Sequence, residues 1–151
     1  IAHKWPNDVL VRGRKCAGIL LESSLSSDQK LDWLVMGVGV NLAHHPQGTE
    51  FPATDLAVEG AGSLTPEAML QAFAEHFLHW HEVWRNRGFA PVREAWLARA
   101  HGLGGPMRVR IGKEGFAATF LDLADDGALL AGLDDGRVRR VEAGEVFPVA
   151  A

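Results

Sequence analysis

Along the first 42 residues, apolar runs alternate with short polar breaks in the rhythm of β-structure. Residues 8–12 (Asp-Val-Leu-Val-Arg) and 15–22 read as two strands joined by a turn at Gly13. Ahead of them Trp5-Pro6 predicts an extended approach, because a residue before proline is pushed out of the α region. The polar stretch 23–30 predicts a turn. Residues 31–42, with β-branched Val35, Val38 and Val40, predict a third strand. Three strands in series over so short a distance imply an antiparallel meander. Gly37 and Gly39 weaken that third strand on their own account, which suggests that something lies close to the backbone there. Ala2-His3-Lys4 runs into this block with no preceding element to pair with. The first residue, Ile1, is not a methionine, so the chain is expected to begin inside a domain.

The period then changes. Residues 43–64, with Pro46 and Pro52, read as a surface connection holding a short helical turn near 55–59. Thr65-Pro66-Glu67 supplies an N-cap hydroxyl, a proline at the first helical position and an acid in the first turn. Leu70, Phe73, Ala74, Phe77, His81 and Trp84 follow at helical spacing and predict a stripe facing a core, ended by Gly88. A second helix is predicted from about Pro91, presenting Val92, Ala95 and Trp96 and stopping at Gly102. Beyond Leu103 come five strand-sized runs, at 107–111, 116–123, 128–133, 137–141 and 145–149. Asp126-Gly127 and Asp135-Gly136 lie between strands and predict type I′ hairpin turns. Five short strands in this space fit a small barrel. The pattern thus predicts an α+β fold, of the α/β sandwich type, over residues 1–102. A small β-barrel follows over 103–151, with a boundary near 101–105.

Bulk composition narrows the function. The chain has 151 residues, 47% hydrophobic and 23% charged, in the ordinary globular range. A formal net charge of −4 argues against non-specific nucleic-acid binding through a basic surface. The single cysteine, Cys16, excludes an intramolecular disulfide and fits a reducing cytosol. With no signal-peptide pattern and no run of about 18 apolar residues, a cytoplasmic protein without a membrane span is expected.

Lys15 is the chemically most suggestive residue. It opens a strand that is wholly apolar by Ile19, and a cation at the mouth of such a strand is a natural partner for a carboxylate or phosphate. Asn7 and Asp8 fit turn chemistry, and Asn41 fits a strand end satisfying local backbone groups. Gly18 and Gly37 suit sheet bulges or close approach of a ligand to the backbone. His76, His79 and His81 share one helix but lack an accompanying ligand set for zinc. The Asp-Asp-Gly segments lack the loop spacing of a calcium site. Cys16 reads as a small apolar packing residue.

Three blocks occur in order: Lys4-Trp5-Pro6-Asn7-Asp8, then Lys15-Cys16-Ala17-Gly18-Ile19-Leu20, then Gly37-Val38-Gly39-Val40-Asn41. Together they resemble the KWPND, KxAGIL and GxGxN motifs of the biotin protein ligases. The resemblance implies an ATP-dependent enzyme that forms biotinyl-5′-AMP and passes biotin to a lysine of a biotin carboxyl carrier domain. It implies Lys15 as the catalytic cation, neutralising the biotin carboxylate and the α-phosphate. It places Lys4, Asn7, Asp8 and Asn41 with Lys15 at ATP, and Gly18, Leu20, Gly37 and Val38 with Lys15 at biotin. Asp8 is placed either near Mg²⁺ or in an ion pair that orients a cation. The implied architecture is part of a core related to class II aminoacyl-tRNA synthetases, followed by a Src-homology-3-like barrel. A homodimer paired through sheet edges is also implied. The family's glycine- and arginine-rich loop is expected upstream of residue 1. Lipoate ligation on a related fold is a rival that the Lys4-to-Asp8 block argues against. A non-catalytic binding or regulatory fragment is the other rival. No helix-turn-helix pattern for nucleic acid is present.

Overall fold

In the computed structural model of the chain, residues 1–28 and 30–149 are described. Four antiparallel strands lie side by side in chain order: β1 (Ala2–Lys4), β2 (Asp8–Val11), β3 (Arg14–Leu25) and β4 (Leu31–Val40). The meander is as expected, with one strand more. Three residues are too few to show an alternation, so β1 was invisible in the pattern. It pairs forward rather than backward, Ala2 with Leu10 and Lys4 with Asp8, and His3 also bridges Ala100. The Trp5–Pro6 peptide bond is cis. Arg12 and Gly13 both have positive φ, 49° and 77°, which makes the β2–β3 turn the type I′ form that suits the twist of a hairpin.

β3 runs on through Ser23 and Ser24, which pair with Leu34 and Trp33 instead of turning. Ser23 is exposed and Ser24 only partly covered, so serine is tolerated there. The strand breaks only after Leu25. Residue 29 of the expected turn lies outside the described residues.

The connection after β4 is more than a surface link. Residues 52–54 fold back on the start of β3: Lys15 N–H donates to the Pro52 carbonyl at 2.8 Å, and Thr54 N–H to the Lys15 carbonyl at 2.9 Å. Thr54 and Asp55 are buried. A short π-helical turn, Ala57–Ala61, follows. It carries Glu59, whose carboxylate accepts from the Thr54 hydroxyl at 2.8 Å and from Arg14 at 2.6 Å. The helical turn expected near 55–59 is present two residues further on, whereas the pairing of residues 52–54 with β3 left no mark in the sequence pattern.

Helix α1 (Pro66–Arg87) begins and ends where capping chemistry says it should. Thr65 Oγ1 accepts from Ala68 N–H at 3.2 Å, and Gly88, at φ 74°, donates its N–H to the Trp84 carbonyl. Its apolar stripe does not meet the expected core. No residue of α1 is buried, and Leu70, Phe77 and Trp84 are exposed along it. The outer strand β4 likewise leaves Trp33, Leu34 and Val35 about half exposed. Helix α2 (Ala90–Leu97) stops earlier than predicted, and turns carry the chain to Gly105.

The remaining strands form a second antiparallel sheet: β5 (Pro106–Ile111), β6 (Glu114–Leu123), β7 (Leu129–Gly132), β8 (Val138–Val141) and β9 (Glu145–Pro148), in the order β8-β7-β6-β5-β9. The two Asp-Gly turns are not type I′. Only the glycines have positive φ, 87° at Gly127 and 82° at Gly136, so each is a type I turn closed by a left-handed glycine. The preceding aspartate stabilises it: Asp126 Oδ1 accepts from Ala128 N–H, and Asp135 Oδ1 from Arg137 N–H.

Alternate residues of this second sheet build the buried core, among them Met107, Val109, Phe120, Leu129 and Val146. Trp5, from the link between β1 and β2, inserts into the same cluster and donates its indole N–H to the Gly127 carbonyl at 3.1 Å. One side chain of the first motif therefore fastens the first sheet to the second. Truncating a buried tryptophan typically costs about 3–5 kcal/mol. Trp5→Ala is expected to destabilise the chain by that amount in urea denaturation, whereas a loss below about 1 kcal/mol would show that the indole is not the tie.

Candidate nucleotide and acyl site

One row of residues crosses all four strands of the first sheet at the same level. Lys4 pairs with Asp8, Asp8 with Gly18, and Gly18 with Gly39. Directly opposed residues point to the same face, so this row sets two charged side chains beside two bare glycines. Lys4 Nζ lies 3.0 Å from Asp8 Oδ2. Lys15 Nζ lies 2.6 Å from Asp8 Oδ1. Lys15 reaches the row because β3 carries an extra residue at Cys16. Ala17 opposes Val9 while Lys15 opposes Leu10. A bulge of this kind re-aims a side chain.

Lys4 and Asp8 are both buried, while Lys15 keeps about two fifths of its side chain exposed. Burying an ammonium and a carboxylate is tolerable only when they are paired. With two cations on one anion the centre retains an excess of positive charge. That excess faces two adjoining clefts. The first, of about 520 Å³, is lined by Lys4, Val40 and Asn41 from the sheet, Phe51 and Ala53 from the connection, and Phe147 from β9. The second, of about 500 Å³, is lined by Asn7, Ile19, Leu20, Gly37 and Val38. Asp8, Lys15, Gly18 and Gly39 line both. Lys15 thus stands on the wall that the two clefts share.

The glycines differ in why they are glycine. A methyl group on Gly18 would lie 3.2–3.3 Å from the end of the Lys15 side chain, so Gly18 clears the path of that lysine. At Gly39 a methyl group would meet nothing within 4 Å, and at Gly37 only the Leu20 carbonyl at 3.8 Å. Neither has a positive φ. The fold makes no demand for glycine at 37 or 39, and in a strand glycine is a net cost. The space above them is what glycine preserves.

All the residues expected at a site come together, in a particular division. Leu20 opposes Gly37 on the face of Gly18 and Gly39, whereas Val38 opposes Ile19 on the other face. Asn7 donates its amide to the Ile19 carbonyl and accepts from Ile19 N–H at 2.9 Å, so it pins the motif turn to β3 as well as bordering the second cleft. Asn41 donates to the Thr54 carbonyl at 3.0 Å and holds the connection against the end of β4. The sequence pattern had no signal for Phe51 or Phe147. Their rings lie 4.9 and 5.8 Å from Lys4 Nζ, from segments 47 and 143 residues further along, so only the folded chain brings them there.

The connection that carries Phe51 is held by two depressed carboxyls. Asp55 accepts from Val58 N–H at 2.8 Å and pairs with His45 at 2.6 Å, which holds its carboxyl below the usual range. Glu59 is held low by the Thr54 hydroxyl and by Arg14. Among the described residues, no three His, Cys, Asp or Glu side chains gather as a metal-holding group.

The course of the backbone is that of the biotin protein ligases. The ligase of Aquifex aeolicus, solved without ligand, superposes with a TM-score of 0.79 over 99% of this chain and 65% of that one, at 20% identity. The same enzyme in complex with biotin and ATP gives a TM-score of 0.77, over 99% of this chain and 62% of that one, again at 20% identity. The family model for the biotin/lipoate A/B protein ligase family matches residues 1–98, and the chain belongs to that family. A biotin–[acetyl-CoA-carboxylase] ligase of Paracoccus denitrificans is 40% identical over 152 aligned positions, covering 97% of this chain and 62% of its own length. The chain therefore spans somewhat under two thirds of that relative.

Gly39→Val is expected to leave the melting temperature unchanged or slightly raised, because the space is open and valine favours strands. A marked fall in melting temperature would show that the fold itself needs the glycine. The depressed carboxyls give a pH dependence with a definite sign. A carboxyl whose folded pKa lies below its unfolded value stabilises above the unfolded pKa and loses that contribution as pH falls through the folded one. The carboxyl contribution should be complete above about pH 5 and fall below about pH 4, while burial, which holds the His3 imidazole below its usual value, adds a separate loss that sets in as pH drops below about 6.5. Glu59→Gln should flatten part of that acid limb, and an unaltered limb would exclude Glu59 from it.

Proposed function

We propose that the chain is the site-bearing part of a biotin–protein ligase, forming biotinyl-5′-AMP from biotin and ATP and then transferring biotin to a lysine of a biotin carboxyl carrier domain. The observation that carries this reading is the position of Lys15 Nζ, between two clefts and 2.6 Å from the carboxylate that orients it. Adenylation brings two anions into contact, a carboxylate and an α-phosphate. A fixed cation on the wall between their pockets stabilises charge that grows in the transition state more than it stabilises the separated reactants.

On this reading the second cleft takes biotin, its ring over the bare backbone of Gly18 and Gly37 and its apolar side against Leu20. Val38 contributes through its backbone rather than its side chain. The first cleft takes ATP, with Lys4 and Lys15 toward the phosphates and Asn41 toward the base. Asn7 supports the turn that holds Asp8. In the first step a biotin carboxylate oxygen bonds to the α-phosphorus and the bond to pyrophosphate breaks. In the second, the carrier lysine nitrogen, as the free amine, attacks the acyl carbon and AMP leaves. Lys15 lies beside the bridging oxygen in both.

Magnesium does not fit Asp8 as a protein-held ion. Both carboxylate oxygens are engaged by ammonium groups, which also repel a dication. Asp8 is therefore assigned to cation orientation, the alternative the sequence left open, and no step is routed through a metal. The first sheet with α1 and α2 is taken as part of a core of the class II synthetase type, and residues 103–151 as a Src-homology-3-like barrel that helps to close the nucleotide cleft. No helix of the described residues is long and apolar enough to cross a membrane. Among the described residues the outer edge of β4 pairs with no other strand, the kind of edge through which a homodimer would pair.

The direct test is biotin-dependent exchange of pyrophosphate into ATP by the full-length gene product. Exchange is expected, and Lys15→Ala should lower it by about 10²–10³-fold while leaving the protein folded. No exchange from the folded wild type, or near-normal exchange by the variant, would contradict the assignment.

A further inference from the structure

Among the described residues, one side chain makes the only ion-pair link between the 43–56 connection and the second sheet. Arg110 projects from β5, and its guanidinium donates two parallel bonds to Glu50, Nη1 to Oε1 and Nη2 to Oε2, each 2.9 Å. It donates a third from Nε to Glu145 Oε2 at 2.8 Å. Its plane lies over the Phe147 ring at 4.7 Å from the centroid. Glu50 and Phe51 are neighbours on the connection. Glu145 and Phe147 sit on β9, two residues apart. All four border the first cleft, and the two rings flank Lys4.

A fork-to-fork pairing fixes orientation as well as distance. Joining Glu50 to Arg110 therefore sets how far Phe51 stands from Phe147. Glu145 and the Phe147 face hold the guanidinium in the one pose that can meet Glu50. The same pairing holds the Glu50 carboxyl below its ordinary range, so the clasp is charged at neutral pH. Arg110 is 38% exposed and its two acidic partners are more so, which leaves the clasp open to screening by salt and able to part.

We propose that Arg110 and Glu50 are positioning residues that clasp the connection to the second sheet and set the width of the first cleft, so that they tune affinity for the nucleotide without contributing to the biotin pocket. This rests on the reading of the first cleft as the ATP site. The mouth is formed from both sheets, whereas the second cleft is built from the first sheet alone, so parting the clasp separates the walls of one cleft only.

The test uses the full-length gene product, calorimetric titration with α,β-methylene-ATP in saturating biotin, and separate titration with biotin alone. Glu50→Gln and Arg110→Gln are each expected to weaken the nucleotide analogue by about 3–10-fold, and the double variant no further than the weaker single one. Arg110→Lys, which keeps the charge but loses the fork, should fall between. Biotin affinity should stay within about twofold, and the differences should shrink in about 0.5 M salt. Nucleotide affinity within twofold of wild type in both single variants would overturn the proposal. So would losses that add in the double variant, or a matching loss of biotin affinity. Clasp-dependent nucleotide binding in a protein without biotin-dependent exchange would uphold the clasp and sink the ligase reading. No binding of the analogue by the wild type would overturn both.

Discussion

Asp8 is the anion on which the arrangement of the site depends. Its two carboxylate oxygens each hold one ammonium, Lys4 on one side and Lys15 on the other. Without it, two like charges would face each other in a partly dry cleft, and both side chains would turn toward solvent. With it, Lys4 can be buried at the junction of the two sheets, against the rings of Phe51 and Phe147. Lys15 can lie across Gly18 with its ammonium fixed but still accessible. The carboxylate does not remove the positive potential; it aims it.

Everything that places Asp8 is backbone geometry. Its register against Lys4 and Gly18 is set by the sheet, the re-aiming of Lys15 by the extra residue at Cys16, and the open floor by Gly37 and Gly39. Trp5 anchors the turn between Lys4 and Asp8 in the core of the second sheet. The first motif thus serves two purposes three residues apart: an indole for packing and a pair of charges for chemistry. The clefts share a wall because Asp8, Lys15, Gly18 and Gly39 border both.

Much of the fold was legible because it is punctuated. Thr65 and Gly88 bracket α1, and the glycine-marked turns divide the second sheet within one or two residues of where the structure does. What escaped was tertiary. β1 is too short for a period to appear. Ser23 and Ser24 stay in a strand by pairing with Leu34 and Trp33. The Asp-Gly turns took the type I form because the aspartate side chain caps the next hairpin residue and only the glycine needs the left-handed region. The α1 stripe is a true helical period, yet periodicity cannot say what will cover it. At the site, the charged residues could be named from their motifs, but not their pairing: that Lys15 meets Asp8 depends on a bulge no pattern shows. Phe147, Glu50 and Arg110 carried no signal at all, being ordinary residues until the second sheet closes against the first.

The shared-wall mechanism requires Lys15 to face both clefts at once. The most direct measurement is a crystal structure of the full-length gene product with biotinol-5′-AMP, a stable analogue of the adenylate. The ring should lie over Gly18 and Gly37 and the adenine beside Asn41, with Lys15 Nζ about 3 Å from an oxygen at the phosphate junction. A ligand seated elsewhere, or one seated in both clefts while Lys15 stays beyond about 5 Å of that junction, would contradict that mechanism.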